Sequence, residues 1–185
     1  MLYQMNALLL TAALASFPPD QIVTTLNTYA VNGSDPYTWN QQMRKQGPEF
    51  NGTSVNAVTL TDLKIEYETI GEPCRLLAPR VILDVRMTLP QRIETGETTK
   101  NSWSRWYRFL GSLLQHELQH RDIGLAVAKE LQAQVSELRL IRFTDCQAIR
   151  SRIDELEGSA YRELQKQHKE LDRKTANGQN EENRL

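Results

Sequence analysis

Two histidines and a glutamate at helical spacing are the residues of this chain best suited to chemistry. His116 and His120 lie four positions apart in the run His-Glu-Leu-Gln-His, and Glu117 directly follows the first histidine. On an α-helix, side chains at i and i+4 stand about 6 Å apart on one face, so both imidazoles can reach one ion. This is the HExxH pattern of zinc hydrolases, in which Zn²⁺ lowers the pKa of a water towards about 7 and the glutamate is the base. The pattern predicts zinc ligands at His116 and His120 and a catalytic base at Glu117.

The segment around this motif predicts one long helix over residues 102–140. Glu117 and His120 fall on its apolar stripe, where the spacing alone would predict Leu or Ile. Ionisable groups on an inward face are costly unless something pairs with them, which favours a metal site over a surface helix with two chance histidines. The stripe recurs with a period of about 3.6 residues and contains Trp106, Leu110, Leu113, Ile123, Val127, Leu131 and Leu138.

Length and composition predict one globular domain, over residues 16–175. The chain has 185 residues, of which 39% are hydrophobic and 24% charged, with a net charge of −1. Its Lys and Arg residues are scattered, and no basic run is interleaved with aromatic residues. The composition therefore gives no electrostatic basis for binding nucleic acid or an anionic membrane surface. After the first residues, no stretch is long and apolar enough to predict an integral membrane segment.

Both ends of the chain predict segments outside that domain. Residues 7–15 form a short apolar run that ends in Ala-Leu-Ala, and Ser16 and a Phe-Pro-Pro break follow. The run is too short to span a bilayer and is typical of a signal peptide over residues 1–15, which predicts a periplasmic or secreted protein. Because no Lys or Arg precedes Arg44, an ordinary apolar N-terminal helix remains the alternative. Residues 176–185 are rich in Asn, Gln and Glu and predict a disordered tail.

Cys74 and Cys146 are the only two cysteines, and they lie too far apart in sequence to form a CxxC redox or zinc motif. In an oxidising periplasm they predict one disulfide. In a cytosolic protein they would be two small buried thiols. The localisation decides between these interpretations.

The remaining patterns predict an α+β fold, in which a small antiparallel sheet packs beside two long antiparallel helices and the first helix carries HExxH. A strand over 21–32 precedes a short helix capped by Asp35. Two alternating stretches follow: one over 58–67, with a change of parity near Asp62 that we interpret as a bulge, and one over 81–89 that Pro90 ends. The second long helix follows a short loop at 142–144, with Thr144 as its predicted cap.

The third protein ligand of the metal is predicted from the geometry of the two helices. If they form an antiparallel hairpin that turns near 142–143, residues equally distant from the turn sit at the same height. His168 and Asp172 then stack at i and i+4 beside the level of His116 and His120. Helical geometry does not choose between them, although imidazole is the better ligand type for zinc. The alternative is that both are solvated residues on a charged helix.

Several short matches in order make the chain resemble a bacterial family of predicted secreted Zn-dependent proteases whose domain is classed as being of unknown function. The family pattern ends with a run like Tyr-Asp-x-x-Thr-x-His-Gly. Here Asp172, Thr175 and Gly178 match that run, while Leu171 and Asn177 stand in place of its Tyr and His. The other matches are HELQH, the run Tyr-Ala-Val-Asn-Gly at 29–33, and Gly47, Pro48, Gly52, Ala57, Cys74, Leu89, Pro90, Trp103 and Phe109.

The resemblance implies a zinc-dependent protease and favours Asp172 as the third ligand, with His168 as the alternative or as a residue that supports a ligand. The expected function is therefore a periplasmic or secreted zinc metallopeptidase that acts on a peptide or protein, and the substrate could lie along an exposed strand edge. Two alternatives remain open. One is a non-catalytic envelope protein with a structural or degenerate metal site, and the other is hydrolysis of a non-peptide amide by the same residues.

Overall fold

Two long helices pack against one face of a three-stranded sheet in the computed structural model, which describes residues 21–93 and 100–176. The predicted signal peptide and residues 177–185 of the predicted tail lie outside this part of the chain. In chain order the elements are β1 (Gln21–Val31), α1 (Pro36–Gln46), β2 (Glu49–Phe50), β3 (Thr53–Ser54), β4 (Val58–Ile70), β5 (Arg75–Arg92), α2 (Lys100–Leu138) and α3 (Cys146–Thr175).

The sheet has the strand order β1-β5-β4, and a separate short hairpin joins β2 to β3. β4 and β5 form the predicted antiparallel pair, whereas β1 pairs with β5 in parallel, so the prediction of a wholly antiparallel sheet is wrong for β1. The predicted α+β class, with a small sheet beside two long helices, is confirmed. Alternate residues of β5 point to the helices and are buried; they are Val81, Leu83, Val85, Met87 and Leu89.

β5 continues past Pro90 to Arg92, so the prediction that this proline ends the strand is wrong. Pro90 lies opposite Tyr29 of β1 in the parallel ladder. The Leu63 N–H on β4 points away from β5 and donates to Tyr161. In this antiparallel pair, the even-numbered residues of β5 are therefore the ones whose N–H and C=O groups point towards β4. The β4 ladder begins at the Val58–Thr88 pair, so the N–H that Pro90 lacks would have had no partner there.

The change of parity in β4 is not a bulge, and that interpretation is also wrong. The register is regular from Val58 to Glu66, and the only irregularity of this pair lies between Glu66 and Glu68. Thr59 and Thr61 lie opposite Met87 and Val85, so they occupy helix-facing positions. Two threonines thus stand where an unbroken core strand would carry apolar residues.

A disulfide ties the turn end of the α2–α3 hairpin to the connection between β4 and β5. Cys74, just before β5, is bonded to Cys146 at the start of α3, which confirms the predicted pairing. Cys74 also exchanges two backbone hydrogen bonds with Phe143 in the turn. The cap of α3 is Asp145, whose carboxylate accepts from the Ala148 N–H. The prediction of Thr144 as the cap is wrong by one residue.

The N-terminal half of α2 is held by a smaller cluster around α1. Asp35 caps α1 as predicted, and the helix ends before Gly47. Trp39 and Met43 of α1 are buried with Trp106 of α2, and the two indole rings meet edge to face at 5.3 Å. Among the described residues, no helix is long and apolar enough to cross a membrane. The fold therefore fixes α2 at both ends and leaves the HELQH segment between them.

Candidate metal centre

Three side chains from two helices converge at the end of the hairpin far from its turn. The two Nε2 atoms of His116 and His120 are 3.1 Å apart. Asp172 Oδ1, on α3, lies 3.1 Å from His120 Nε2 and 3.3 Å from His116 Nε2. These three residues form the candidate cluster of metal-ligating groups in the described part of the chain, and we call it the metal triad.

The dimensions of the metal triad fit one face of a zinc coordination tetrahedron. Zinc binds histidine nitrogen and carboxylate oxygen at about 2.0–2.1 Å, so neighbouring ligand atoms in a tetrahedral site stand about 3.3–3.4 Å apart. The three observed separations, 3.1, 3.1 and 3.3 Å, are within a few tenths of an ångström of that spacing. Two imidazole nitrogens and one carboxylate oxygen are also ligand types that zinc accepts, which leaves the fourth corner for a non-protein ligand.

Glu117 lies beside the metal triad but is not part of it. Its Oε2 accepts a 2.6 Å hydrogen bond from the Thr59 hydroxyl on β4, and the residue is only 3% exposed. Burial raises the pKa of this carboxyl to about 7, assisted by the nearby Asp172 charge and opposed by the Thr59 hydrogen bond. A carboxyl with a pKa near neutrality can both take up and release a proton under physiological conditions.

His168 contacts the metal triad from behind, through the second nitrogen of His120. The two Nδ1 atoms are 2.8 Å apart, and His168 Nε2 lies 3.1 Å from the Thr61 hydroxyl on β4. Burial lowers the pKa of His120 to about 4, although Asp172 opposes the shift, and burial also lowers the pKa of His168. Both imidazoles are therefore neutral at neutral pH, the form in which a histidine nitrogen can bind a metal.

His116 has a comparable contact on its second nitrogen. Thr175 Oγ1, in the last turn of α3, lies 3.4 Å from His116 Nδ1 and donates a 2.9 Å hydrogen bond to the Leu171 carbonyl. His168, Asp172 and Thr175 follow one another at i, i+4 and i+7, so one face of α3 presents all three to the site. That face continues the buried stripe that contains Ala160 and Leu164.

One bacterial protein family covers most of this chain. The model of a family described as "Bacterial protein of unknown function (DUF922)" matches residues 26–179. The chain belongs to this family. The matched stretch of DUF922 contains β4, β5, α2 and α3 in full, so the whole candidate site lies within the family's domain. No curated protein and no solved structure matches the chain.

The structure brings together the residues that the sequence singled out and adds three. His116, His120 and Asp172 form the metal triad, while His168 contacts His120 instead of joining the triad. Asn177 and Gly178, the last positions of the resembled motif, lie outside the described residues. The sequence assigned no role to Thr59, Thr61 and Thr175. The sequence signal for the first two is the change of parity in β4, which does not correspond to a bulge.

Proposed function

We propose that this member of DUF922 is a zinc metallopeptidase that acts in the periplasm or outside the cell. The observation that carries the proposal is the metal triad with Glu117 beside it and a fourth coordination corner left over. Zinc bound there would act as a Lewis acid and activate a water. Glu117 would take a proton from that water and pass it to the leaving amine, the role for which a pKa near 7 suits it.

The ligand count supports a catalytic site over a structural one. Structural zinc sites are normally closed by four protein ligands. The chain has three histidines and two cysteines, and the cysteines are joined in the disulfide. The remaining histidine, His168, directs its two nitrogens to His120 and Thr61. A fourth imidazole or thiolate ligand is therefore not at hand in the described part of the chain.

The disulfide supports the proposed location, because such bonds form and persist mainly in oxidising compartments.

The substrate would have to use a free part of the sheet edge, because α3 already occupies another part of that edge. The Leu63 N–H donates to Tyr161 and the Ile65 N–H donates to Glu157. An extended peptide that approached Glu117 by strand addition would therefore pair with the start of β4, around Thr59.

Metal analysis tests the site itself. We expect purified wild-type protein to hold zinc at near one equivalent, and we expect His116→Ala and His120→Ala to lose it, because each removes one corner of the metal triad. Circular dichroism of both variants checks that the fold is retained. Full zinc content in the His116→Ala/His120→Ala double variant would remove the basis of the proposal.

A peptide-cleavage screen, with and without a chelator, tests the reaction. Glu117→Gln keeps the size and hydrogen-bonding capacity of the side chain, so we expect it to retain zinc while cleavage falls by about 10²-fold or more. Equal turnover in wild type and Glu117→Gln contradicts the assigned base. Zinc-loaded wild type that cleaves no peptide in a broad screen would favour the non-catalytic envelope protein instead.

A further inference from the structure

We infer that Thr175 and His168 are positioning residues that hold His116 and His120 in the one tautomer able to bind zinc through Nε2. Thr61 acts one step further out by orienting His168. The inference rests on the proposed metal site. It concerns how hydrogen bonds to the two histidines set the zinc affinity of that site, and not the reaction. It assigns a role to three residues on β4 and α3 that do not themselves belong to the metal triad.

The Thr175 hydroxyl is placed to accept a hydrogen bond from His116. A hydroxyl has one proton, and Thr175 donates it to the Leu171 carbonyl at 2.9 Å. Towards His116 Nδ1, 3.4 Å away, the oxygen therefore presents a lone pair. This contact favours a proton on Nδ1, and in a neutral imidazole that leaves the Nε2 lone pair free for the metal.

The second contact runs through two imidazoles. When His120 Nε2 binds a metal, its remaining proton is on Nδ1 and must be donated to His168 Nδ1, 2.8 Å away. His168 then carries its own proton on Nε2 and donates it to the Thr61 hydroxyl at 3.1 Å. The chain of donors thus has one consistent direction, from the metal triad through His168 to β4.

Both contacts should raise zinc affinity without touching the metal. A hydrogen bond to the second nitrogen orients the ring and increases its basicity, and loss of such a partner typically weakens metal binding by about 10- to 100-fold. The two arms are separate, because Thr175 serves His116 and His168 serves His120. Each arm can therefore be broken alone.

The experiment compares four variants in two pairs, and in each pair one variant removes the hydrogen-bond acceptor and the other keeps one. Thr175→Val removes the acceptor with little change of shape, whereas Thr175→Ser keeps it. His168→Leu removes the acceptor for His120, whereas His168→Asn offers a carbonyl oxygen close to the position of Nδ1. Zinc affinity, measured by competition with a chromophoric chelator, should fall about 10- to 100-fold in the first member of each pair and recover substantially in the second.

A second measurement identifies which ring has lost its partner. In zinc-loaded wild type, imidazole ¹H–¹⁵N spectra should contain two Nδ1–H signals protected from exchange with water. Thr175→Val should remove the protection at His116 only, and His168→Leu at His120 only. A merely structural effect on α3 would change both signals together.

Four outcomes decide between this inference and the proposed function. Unprotected Nδ1–H signals in zinc-loaded wild type overturn the inference. Unchanged zinc affinities in Thr175→Val and His168→Leu overturn it as well. Failure of wild type to bind zinc overturns both the inference and the proposed metal site. Tight zinc binding with the expected losses, but without peptide cleavage, supports the inference and contradicts the proposed function alone.

Discussion

The two ends of the α2–α3 hairpin bury different kinds of side chain between the helices, apolar at the turn and ionisable at the far end. Near the turn, Leu131, Val135 and Leu138 of α2 face Ile149 and Ile153 of α3, and all five are buried. At the far end the same two helix faces carry the metal triad, Glu117 and His168. The helices are continuous across both regions, so the change from apolar to polar residues happens along one interface.

This difference separates stability from function. Apolar burial near the turn stabilises the fold at about 25 cal/mol per Å² with no ligand present. At the far end His116, Glu117 and His120 are only 4%, 3% and 8% exposed, and buried ionisable groups cost free energy unless they are compensated. The turn end therefore supplies apolar packing free energy to the helix pair, whereas the site end carries buried ionisable groups whose cost a bound cation would offset. Three predictions test this division, from the largest expected effect to the smallest.

Removal of the disulfide should weaken the turn end and leave the site intact. The bond closes a loop across 72 sequence positions, which in the chain-entropy model contributes about 4 kcal/mol. We expect the Cys74→Ala/Cys146→Ala double variant to lose free energy of unfolding on this order, measured by denaturant titration. Its zinc affinity should stay within about twofold of wild type, because distant sites act independently. A tenfold loss of affinity would mean that the two ends are coupled.

Glu117→Gln should show how much free energy of unfolding is lost by burying the Glu117 carboxylate in metal-free protein. Burial raises the pKa of Glu117 from 4.5 to about 7, so the folded state holds its proton where the unfolded state has lost it. The contribution of this carboxyl to stability is therefore fully present below pH 4.5 and is lost as the pH rises to about 7.

The size of that loss follows from the same shift, at about 1.4 kcal/mol per pKa unit, or about 3 kcal/mol in all. With chelator present, wild type should lose this much stability relative to Glu117→Gln between about pH 4 and pH 8. Chemical denaturation of both proteins at several pH values measures the difference. If the stabilities of the two proteins change with pH in the same way, Glu117 is solvated in solution and its burial does not cost the fold free energy.

Gly124→Ala should affect the site more than the fold. A Cβ at Gly124, one helical turn after His120, would lie 3.0 Å from the Thr61 Cγ2 atom, so Thr61, whose hydroxyl contacts His168, must shift by a few tenths of an ångström. We expect zinc affinity to fall several-fold while the free energy of unfolding changes by no more than about 1 kcal/mol.

Gly111→Ala provides the matched control on the same helix. A Cβ there would meet no atom within 4 Å, so the change should stabilise α2 by up to about 1 kcal/mol through helix propensity and leave zinc affinity unchanged. Equal zinc affinities in the two variants would show that the close approach of β4 to α2 does not position the site.

Local rules determined much of this protein from sequence alone. The HELQH spacing placed two imidazoles on one helical face, and the Asp35 cap and Gly47 bounded α1. Each of these depends on residues within a few positions of one another, where helix geometry leaves little freedom. The hairpin argument also placed His168 and Asp172 at the right level, because the rise along a helix is fixed.

Only the tertiary structure decided which of those side chains meet one another. The choice between Asp172 and His168 depends on the rotation of α3 about its axis, which its packing on β4 and α2 sets. The roles of Thr59 and Thr61 depend on which strand edge meets the helices, and the parallel pairing of β1 depends on where β5 returns. These contacts join residues about 60 to 110 positions apart, and no local periodicity records which distant side chain a given position will meet.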